Sequence, residues 1–401
     1  MRVLLITLCS LGDLLPFLTI GKALRARGHE VCIGTSNQHE PLIRQADFEF
    51  HSIFDSERLQ RPPQDARGSD LNRAWALDWE RVMAPAMAPT FELIRDKSQQ
   101  GYVVVAHWAA FGARLAEEKL GVPTCTTYLS PEALNPCDES GARAPRWRGF
   151  SEDEVCGPLL NQYRGELGLP PVDHICSRWV HSPRLGLALF PEWFCGRPEY
   201  WPQQVGTTGF VTSDEAVMPV ATQRVEAFLD TGAPPIVFTP GTGMPLAASF
   251  FKESLATCAI LGARAILLTP YAGQVPTPLP PWALHVEYFP LHTLLRRSSA
   301  IVYHGGIGTC AQAIRAGVPQ LVAPMVVDQF DNAHHIRTLG LGVSVPMKDY
   351  REDTVTDKLI QILSGNGIRH ASQRFAARFA EKPALHDTCE TIEQLNSGVG
   401  A

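Results

Sequence analysis

No stretch of about 18 apolar residues runs uninterrupted through the chain, so no transmembrane helix is expected. Lys and Arg form no cluster, and 35 basic residues against 41 acidic ones leave a net charge of −6. That balance argues against a nucleic-acid partner and makes any phosphate binding a local matter. Ten cysteines are scattered with no C-x-x-C pair and no His/Cys grouping at zinc-ligand spacing, and they read as reduced, mostly buried thiols of a cytoplasmic protein. No D-x-D sequence stands near a strand end, so no metal is expected to bridge a diphosphate. Internal repeats and low-complexity tracts are also missing. The apolar start Val3–Leu8, behind Arg2, does not read as a secretion signal, because Asp13 interrupts it and no small-residue cleavage site follows.

What is present is length and alternation. A chain of 401 residues that is 45% hydrophobic exceeds one ordinary core, and two domains of about 200 residues each are expected. Val3–Leu8 predicts a buried strand, followed by a helix with Leu14, Phe17, Leu18 and Leu24 on one face, a stop at Gly28, and a strand over Glu30–Thr35. Tyr102–Ala106 predicts another strand, and Phe111–Leu120 its helix, closed by Gly121 and Pro123. Polar residues 56–72 and the Pro/Gly/Arg-rich residues 131–157 are expected as long loops. Pro, Gly and Thr mark a boundary over 202–235. Beyond it, strands at 236–239, 265–269, 285–288, 300–303 and 320–323 alternate with helices, which predicts a second doubly wound domain, and the tail after Ile368 is helical.

The most informative block is His304-Gly305-Gly306-Ile307-Gly308-Thr309, followed by a short helix and then by Asp328-Gln329-Phe330-Asp331-Asn332. Strand Ala300–Tyr303 runs into a glycine turn, and the helix from Thr309 to Ala316 offers unbonded N–H groups and about half a positive charge to an anion such as a diphosphate. Gly306 to Ala311 also fits G-x-G-x-x-A with Asp328 downstream, the pattern of an NAD-dependent dehydrogenase. Against that alternative, Asp328 falls in a polar loop rather than at a strand tip, and His304 has no evident job beside a nicotinamide.

This block, together with Ser10-Leu11-Gly12-Asp13-Leu14-Leu15-Pro16-Phe17, Ala23–His29, Trp179-Val180-His181-Ser182-Pro183 and Val237–Thr242, resembles family 1 glycosyltransferases of the GT-B fold. Within that family the likeness is to the bacterial branch that holds the rhamnosyltransferase of rhamnolipid biosynthesis. The resemblance implies an α/β protein with two doubly wound Rossmann-like domains facing a central cleft. An acceptor domain would span 1–205, a linker region 206–235, a nucleotide-sugar domain 236–375, and a final helix in 376–401 would cross back to the first domain. It implies an inverting, metal-independent transfer of rhamnose or glucose from a dTDP- or UDP-sugar to a hydroxyl of an apolar acceptor: a flavonoid, a polyketide-like aglycone or a hydroxy fatty acid. The donor is a substrate and no cofactor is implied. A monomer or weak homodimer is expected. A nucleotide-sugar epimerase or a non-catalytic partner of another transferase are the other classes, but the first needs further carboxylates aimed at the sugar and the second should lack Asp13 or His304.

Gly12-Asp13 sits on the turn after the first strand, where relatives carry the general base; the structural alternative is that Asp13 is the helix N-cap. A carboxylate of pKa roughly 4 cannot deprotonate a phenol near 10 in advance, so proton removal would accompany attack on the anomeric carbon, which inverts it. His107 would support Asp13 or touch the acceptor, and Trp108, Phe111 and Trp79 would line the acceptor pocket, with Trp75 and Met83 as neighbours. On the donor side the resemblance implies that Gly12 touches the donor and that His304, Gly306, Gly308, Thr309 and Thr242 meet the diphosphate. Tyr288, or Phe289 beside it, would stack on the base, and Asp328 with Gln329 would hold sugar hydroxyls. Relatives carry His before that pair, and this chain carries Val327.

Overall fold

The computed structural model describes all residues except Cys9, 57–70, 135–151, 213–221, 245–246, 326–327, 382 and 398–401. Most of both expected long loops, and Val327, therefore lie outside the described residues; the end of the second loop, from Glu152, is instead the first turn of a helix running to Glu166. The chain divides into two compact units: Met1–Val211 with Pro383–Ala401, and Thr212–Lys382. The division at Val211/Thr212 and the return at Pro383 compare with the 206–235 linker and the residue 376 expected above.

In the first unit, strands β1 (Arg2–Ile6), β2 (Glu30–Ser36), β3 (Glu49–Phe54), β4 (Tyr102–His107), β5 (Thr124–Tyr128), β6 (Leu185–Ala188) and β7 (Val205–Thr207) form one parallel sheet in the order β3-β2-β1-β4-β5-β6-β7. The chain winds outward from β1 and then returns to β4, so the order reverses between these two strands. Such a switch point opens a crevice at the strands' carboxyl ends. The helix Leu11–Ala26 covers β1 with Leu14, Phe17, Leu18, Ile20 and Leu24 buried, and its acidic first turn sits above that crevice edge.

In the second unit, β8 (Ile236–Thr239), β9 (Ala265–Leu268), β10 (Ala283–Val286), β11 (Ala300–Tyr303), β12 (Gln320–Val322) and β13 (Gly342–Ser344) run parallel in the order β10-β9-β8-β11-β12-β13. The reversal falls between β8 and β11, which pair with Tyr303 opposite Thr239. Ile236, Phe238, Val302, Leu321 and the fully buried Phe250 and Phe251 form a core that fixes these strands from one face.

Three interactions inside the first unit explain segments that carry sequence signal but no chemistry. Arg164 is fully buried and donates to both oxygens of Glu118 at 2.8 Å, while Trp179 Nε1 donates to the same carboxylate at 2.9 Å; the Arg164 contact first, then Trp179, holds Glu118 at about 2. His181 Nδ1 meets the Tyr128 hydroxyl at 2.7 Å, and Ser182 Oγ donates to Glu117 at 2.7 Å. The block Trp179–Pro183 is thus a buried polar clamp between β5 and β6. The helix Ala384–Glu393 docks on the helix Leu11–Ala26 edge, where Glu393 accepts from Arg27 at 2.8 and 2.7 Å and meets His29 at 2.7 Å.

Arg27 and His29 pull Glu393 down to about 2, so this anchor is complete above a pH of about 4.5 and weakens as the pH falls toward 2. Solvent screens a partly exposed pair of this kind, so its contribution is modest. Arg27→Ala is therefore expected to raise hydrogen exchange in residues 384–393 by up to about tenfold while β1 amides keep their protection; an unchanged 384–393 segment would refute the anchor.

Candidate active site

In the second unit, the turn after β11 carries His304, whose ring lies between two glycines. A Cβ on Gly241 would come within 2.8 Å of His304 Cε1, and one on Gly306 within 2.4 Å of His304 Nε2. The glycines are needed because the backbone of β8's turn and of the next helix press on both sides of the imidazole. Burial drives His304 down to about 4, with the Thr239 backbone acting the other way, and Nδ1 is buried without a hydrogen-bond partner among the described residues. At neutral pH the ring is uncharged and carries a single N–H.

The helix that follows begins at Ile307, two residues before the expected start at Thr309, with Gly306 as N-cap and no side chain capping it. The amides of Ile307, Gly308 and Thr309 therefore form its first turn, and Gly308 is exposed, with open space where a Cβ would stand. A pyrophosphate is the kind of group such an end accepts. Gly305, whose place in the block gives no separate signal, has φ +99°, and a Cβ there would strike Val322 at 2.9 Å and the Gln329 carbonyl at 3.0 Å. Thr242 is exposed on the turn after β8, next to Gly241.

Asp328 opens the helix Asp328–Thr338 rather than ending β12, which stops at Val322. This removes the geometry that a dinucleotide-type ribose acid requires and disfavours the dehydrogenase alternative. Asp328 Oδ2 accepts from Asn332 at 3.1 Å, and Gln329 is buried with Oε1 accepting from the Met325 N–H at 2.9 Å, so one half of its amide serves the backbone. Strand β10 ends at Val286, two residues earlier than expected, which leaves Tyr288 half-buried beyond its carboxyl end while Phe289 is buried. Along one sheet edge the order is therefore Tyr288 after β10, Thr242 after β8, His304 after β11 and Asp328 after β12. Tyr288 and His304 are three strand spacings apart, about 14 Å.

In the first unit, Ser10 is the N-cap of Leu11–Ala26 and accepts from the Asp13 amide at 3.1 Å, while its hydroxyl donates to Asp13 Oδ2 at 2.6 Å. Asp13 is thus not the N-cap considered above; it is the third residue of the helix, part-exposed, with Gly12 exposed beside it. His107 ends β4 across the switch point. Burial lowers its pKa, and the charge of Asp13 acts in the opposite direction; β1 and β4 pair with Ile6 opposite Ala106, so His107 and the turn leading to Asp13 stand at neighbouring strand ends. Trp108 is half-buried next to His107. Phe111 is fully buried and Trp79 nearly so, with ring centroids 5.2 Å apart and Phe111 packed edge-on to Trp179 at 5.8 Å. Trp75 and Met83 are buried as well. These four are core residues here, because helical aromatics beside β4 fill the space under the sheet; of the expected acceptor contacts Trp108 keeps exposed surface.

Among the described residues one Cys/Glu/His trio, Cys32, Glu49 and His51, has ligand atoms within 4.8 Å of one another. Lys97 Nζ stands 2.9 Å from Glu49, and burial raises the Cys32 thiol to about 12, so an ammonium already balances that carboxylate.

Comparison with known proteins agrees with the fold and with a sugar-transferring enzyme. The glycosyltransferase family 28 N-terminal domain matches residues 3–136, and the erythromycin biosynthesis protein CIII-like C-terminal domain matches residues 261–395. The chain is 29% identical to the O-mycaminosyltylonolide 6-deoxyallosyltransferase of Streptomyces fradiae over 98% of this chain and 97% of that one. It is 28% identical to the vancomycin aglycone glucosyltransferase of Amycolatopsis orientalis, with 86% of each covered. A spinosyn rhamnosyltransferase solved with thymidine diphosphate superposes with a TM-score of 0.72 at 20% identity, covering 98% of this chain and 100% of that one.

Two expectations follow from the packing. Gly306→Ala should displace the His304 imidazole and weaken nucleotide binding at least tenfold, whereas Gly308→Ala, with open space around it, should leave the His304 ring resonances unmoved; equal ring displacement in both would contradict the wedge. Burial holds His181 at about 4 against 6.5 for the ordinary imidazole. Between those values the unfolded chain binds more protons, so the stability this ring contributes is complete above about 6.5 and falls toward pH 4, by up to about 3 kcal/mol. Urea melts at pH 7 and 4.5 should show this fall, and His181→Gln should reduce it; a flat profile would count against the buried neutral imidazole.

Proposed function

For a chain that is a glycosyltransferase, with a family 28 N-terminal region and an erythromycin biosynthesis protein CIII-like C-terminal region, we propose transfer of a hexose or deoxyhexose from a thymidine- or uridine-diphosphate sugar to a hydroxyl of an apolar natural product. The observation that carries this reading is the order of groups along the second unit's sheet edge. An aromatic ring, a phosphate-facing turn, an uncapped helix start with a neutral His, and a carboxylate follow one another as base, diphosphate and sugar do in a nucleotide sugar. The spinosyn enzyme's complex with thymidine diphosphate and the deoxyallosyltransferase relative favour a thymidine-linked deoxysugar, with rhamnose among the candidates. The relatives' names, a tylonolide deoxyallosyltransferase and a vancomycin aglycone glucosyltransferase among them, favour a natural-product aglycone as acceptor.

In this reading the acceptor oxygen attacks the anomeric carbon as its proton passes to an Asp13 oxygen. The bond from that carbon to the diphosphate breaks, its electron pair leaves with the nucleoside diphosphate, and the configuration inverts. Ser10 donates to one Asp13 oxygen and so orients the other, and His107 supports the carboxylate. The developing negative charge meets the Ile307–Thr309 amides and the His304 N–H, which is preorganised electrostatic stabilisation without a metal ion.

Mass spectrometry after incubation with thymidine- and uridine-diphosphate glucose and rhamnose, and a panel of macrolide, phenolic and hydroxyacyl acceptors, should show a sugar adduct. Asp13→Asn should then lower kcat by about 10²- to 10⁴-fold, the usual range for a lost general base, with nucleotide affinity within about twofold. Loss of nucleotide binding in that variant would make Asp13 structural.

A further inference from the structure

Asn332 lies one helical turn beyond Asp328 on the helix Asp328–Thr338 and is fully buried. Its side-chain nitrogen donates to the Gly305 carbonyl at 3.0 Å and to Asp328 Oδ2 at 3.1 Å. A primary amide has two N–H groups, so both bonds can be made at once. We propose that Asn332 is a positioning residue that fixes the Asp328 carboxylate to the glycine turn and thereby sets the sugar end of the donor site relative to its diphosphate end. The inference rests on the donor-site reading above and deepens it.

Along the chain, the two ends of this clamp are separated by the Ile307–Ala316 helix, β12 and the following loop. Gly305 is held from below by Val322 and by the Gln329 backbone, so its carbonyl direction is set by close packing. Gln329 Oε1 secures the Met325 N–H on the approach to the helix. Asp328, at the helix start, has an acceptor-only carboxylate when ionised, and its Oδ2 takes the one Asn332 donor that faces it. With that oxygen committed, the carboxylate keeps one rotamer and its other oxygen keeps one direction. Removing this donor leaves the buried Gly305 carbonyl without it, which is costly, and frees the part-buried Asp328 carboxylate to turn.

The test is a double-mutant cycle in the full chain, using the sugar donor that the wild type turns over and thymidine diphosphate alone as a binding probe. Asn332→Ala is expected to lower kcat/KM at least tenfold while thymidine diphosphate affinity stays within about threefold. In the Asp328→Ala background, the same change should cost no more than about twofold further, because the residue it positions is gone. Asn332→Asp, which keeps the side chain's size and removes its donor, repeats the cycle if the alanine variant does not fold. Multiplying losses in the double variants, or an equal loss of thymidine diphosphate affinity, would overturn the positioning role. A wild type that neither binds nucleotide nor transfers sugar would instead remove the donor-site reading, and this inference with it.

Discussion

The second unit is organised around an imidazole that has no room to move. His304 follows the last residue of β11 beside the turn of β8, and the backbones at Gly241 and Gly306 approach it so closely that a methyl group on either would overlap the ring. From that contact follow the neutral state of the ring, its buried Nδ1, and the direction in which the Ile307–Ala316 helix leaves the sheet. The uncapped helix start is then not a defect of local sequence. Capping side chains would occupy the place where the amides are offered, and a glycine-rich entry leaves them open.

The first unit solves a related problem differently. Its switch point places a carboxylate and an imidazole at neighbouring strand ends, and both are tied into the scaffold: Asp13 through the hydroxyl of its own N-cap, His107 through the Ala109 amide that donates to its Nδ1 at 3.4 Å. The Ser10–Asp13 contact has the first half of a capping box, the Asp13 amide donating to the Ser10 hydroxyl, but its second bond runs from that hydroxyl to the Asp13 carboxylate rather than from the N-cap amide. Helix stability and the orientation of the proposed base therefore depend on one pair of side chains. Beneath it, Phe111, Trp79 and Trp179 fill the core, and the buried Arg164–Glu118 pair locks the Trp179 segment behind them.

Much of this could be read from residue patterns, for identifiable reasons. Strands 236–239 and 300–303 are short continuous apolar runs between turn residues, and they fall where expected. The helix Phe111–Leu120 has an αL glycine, Gly121, to end it. Strand β10 lies two residues before its expected place because His285–Tyr288 alternates like a strand, while the true strand begins right after Pro281-Trp282. Thr124–Tyr128 and Gly342–Ser344 carry too little apolar character to announce themselves. In the former the Thr127 hydroxyl is satisfied by the Ala106 carbonyl and Thr126 by the Ser182 amide, so polar residues are buried at little cost. At the candidate site, the glycine turn with His304 falls directly after β11, as the local pattern of strand, glycines and helix leads one to expect. Phe111 and Trp79 are not, since core and pocket aromatics share one spacing. Gly305 and Asn332 act through contacts between turn and helix that no local pattern contains, although Asn332 four residues after Asp328 is a spacing at which helical side chains meet.

The central claim is that the amides at the start of the Ile307–Ala316 helix hold the diphosphate. It is tested most directly by following backbone amide resonances of the isotopically labelled chain as thymidine diphosphate is added. The account predicts that the largest shifts fall on Gly306 to Thr309 and on Thr242, with smaller ones near Tyr288. Saturable binding that leaves those amides unmoved and perturbs another surface would contradict it.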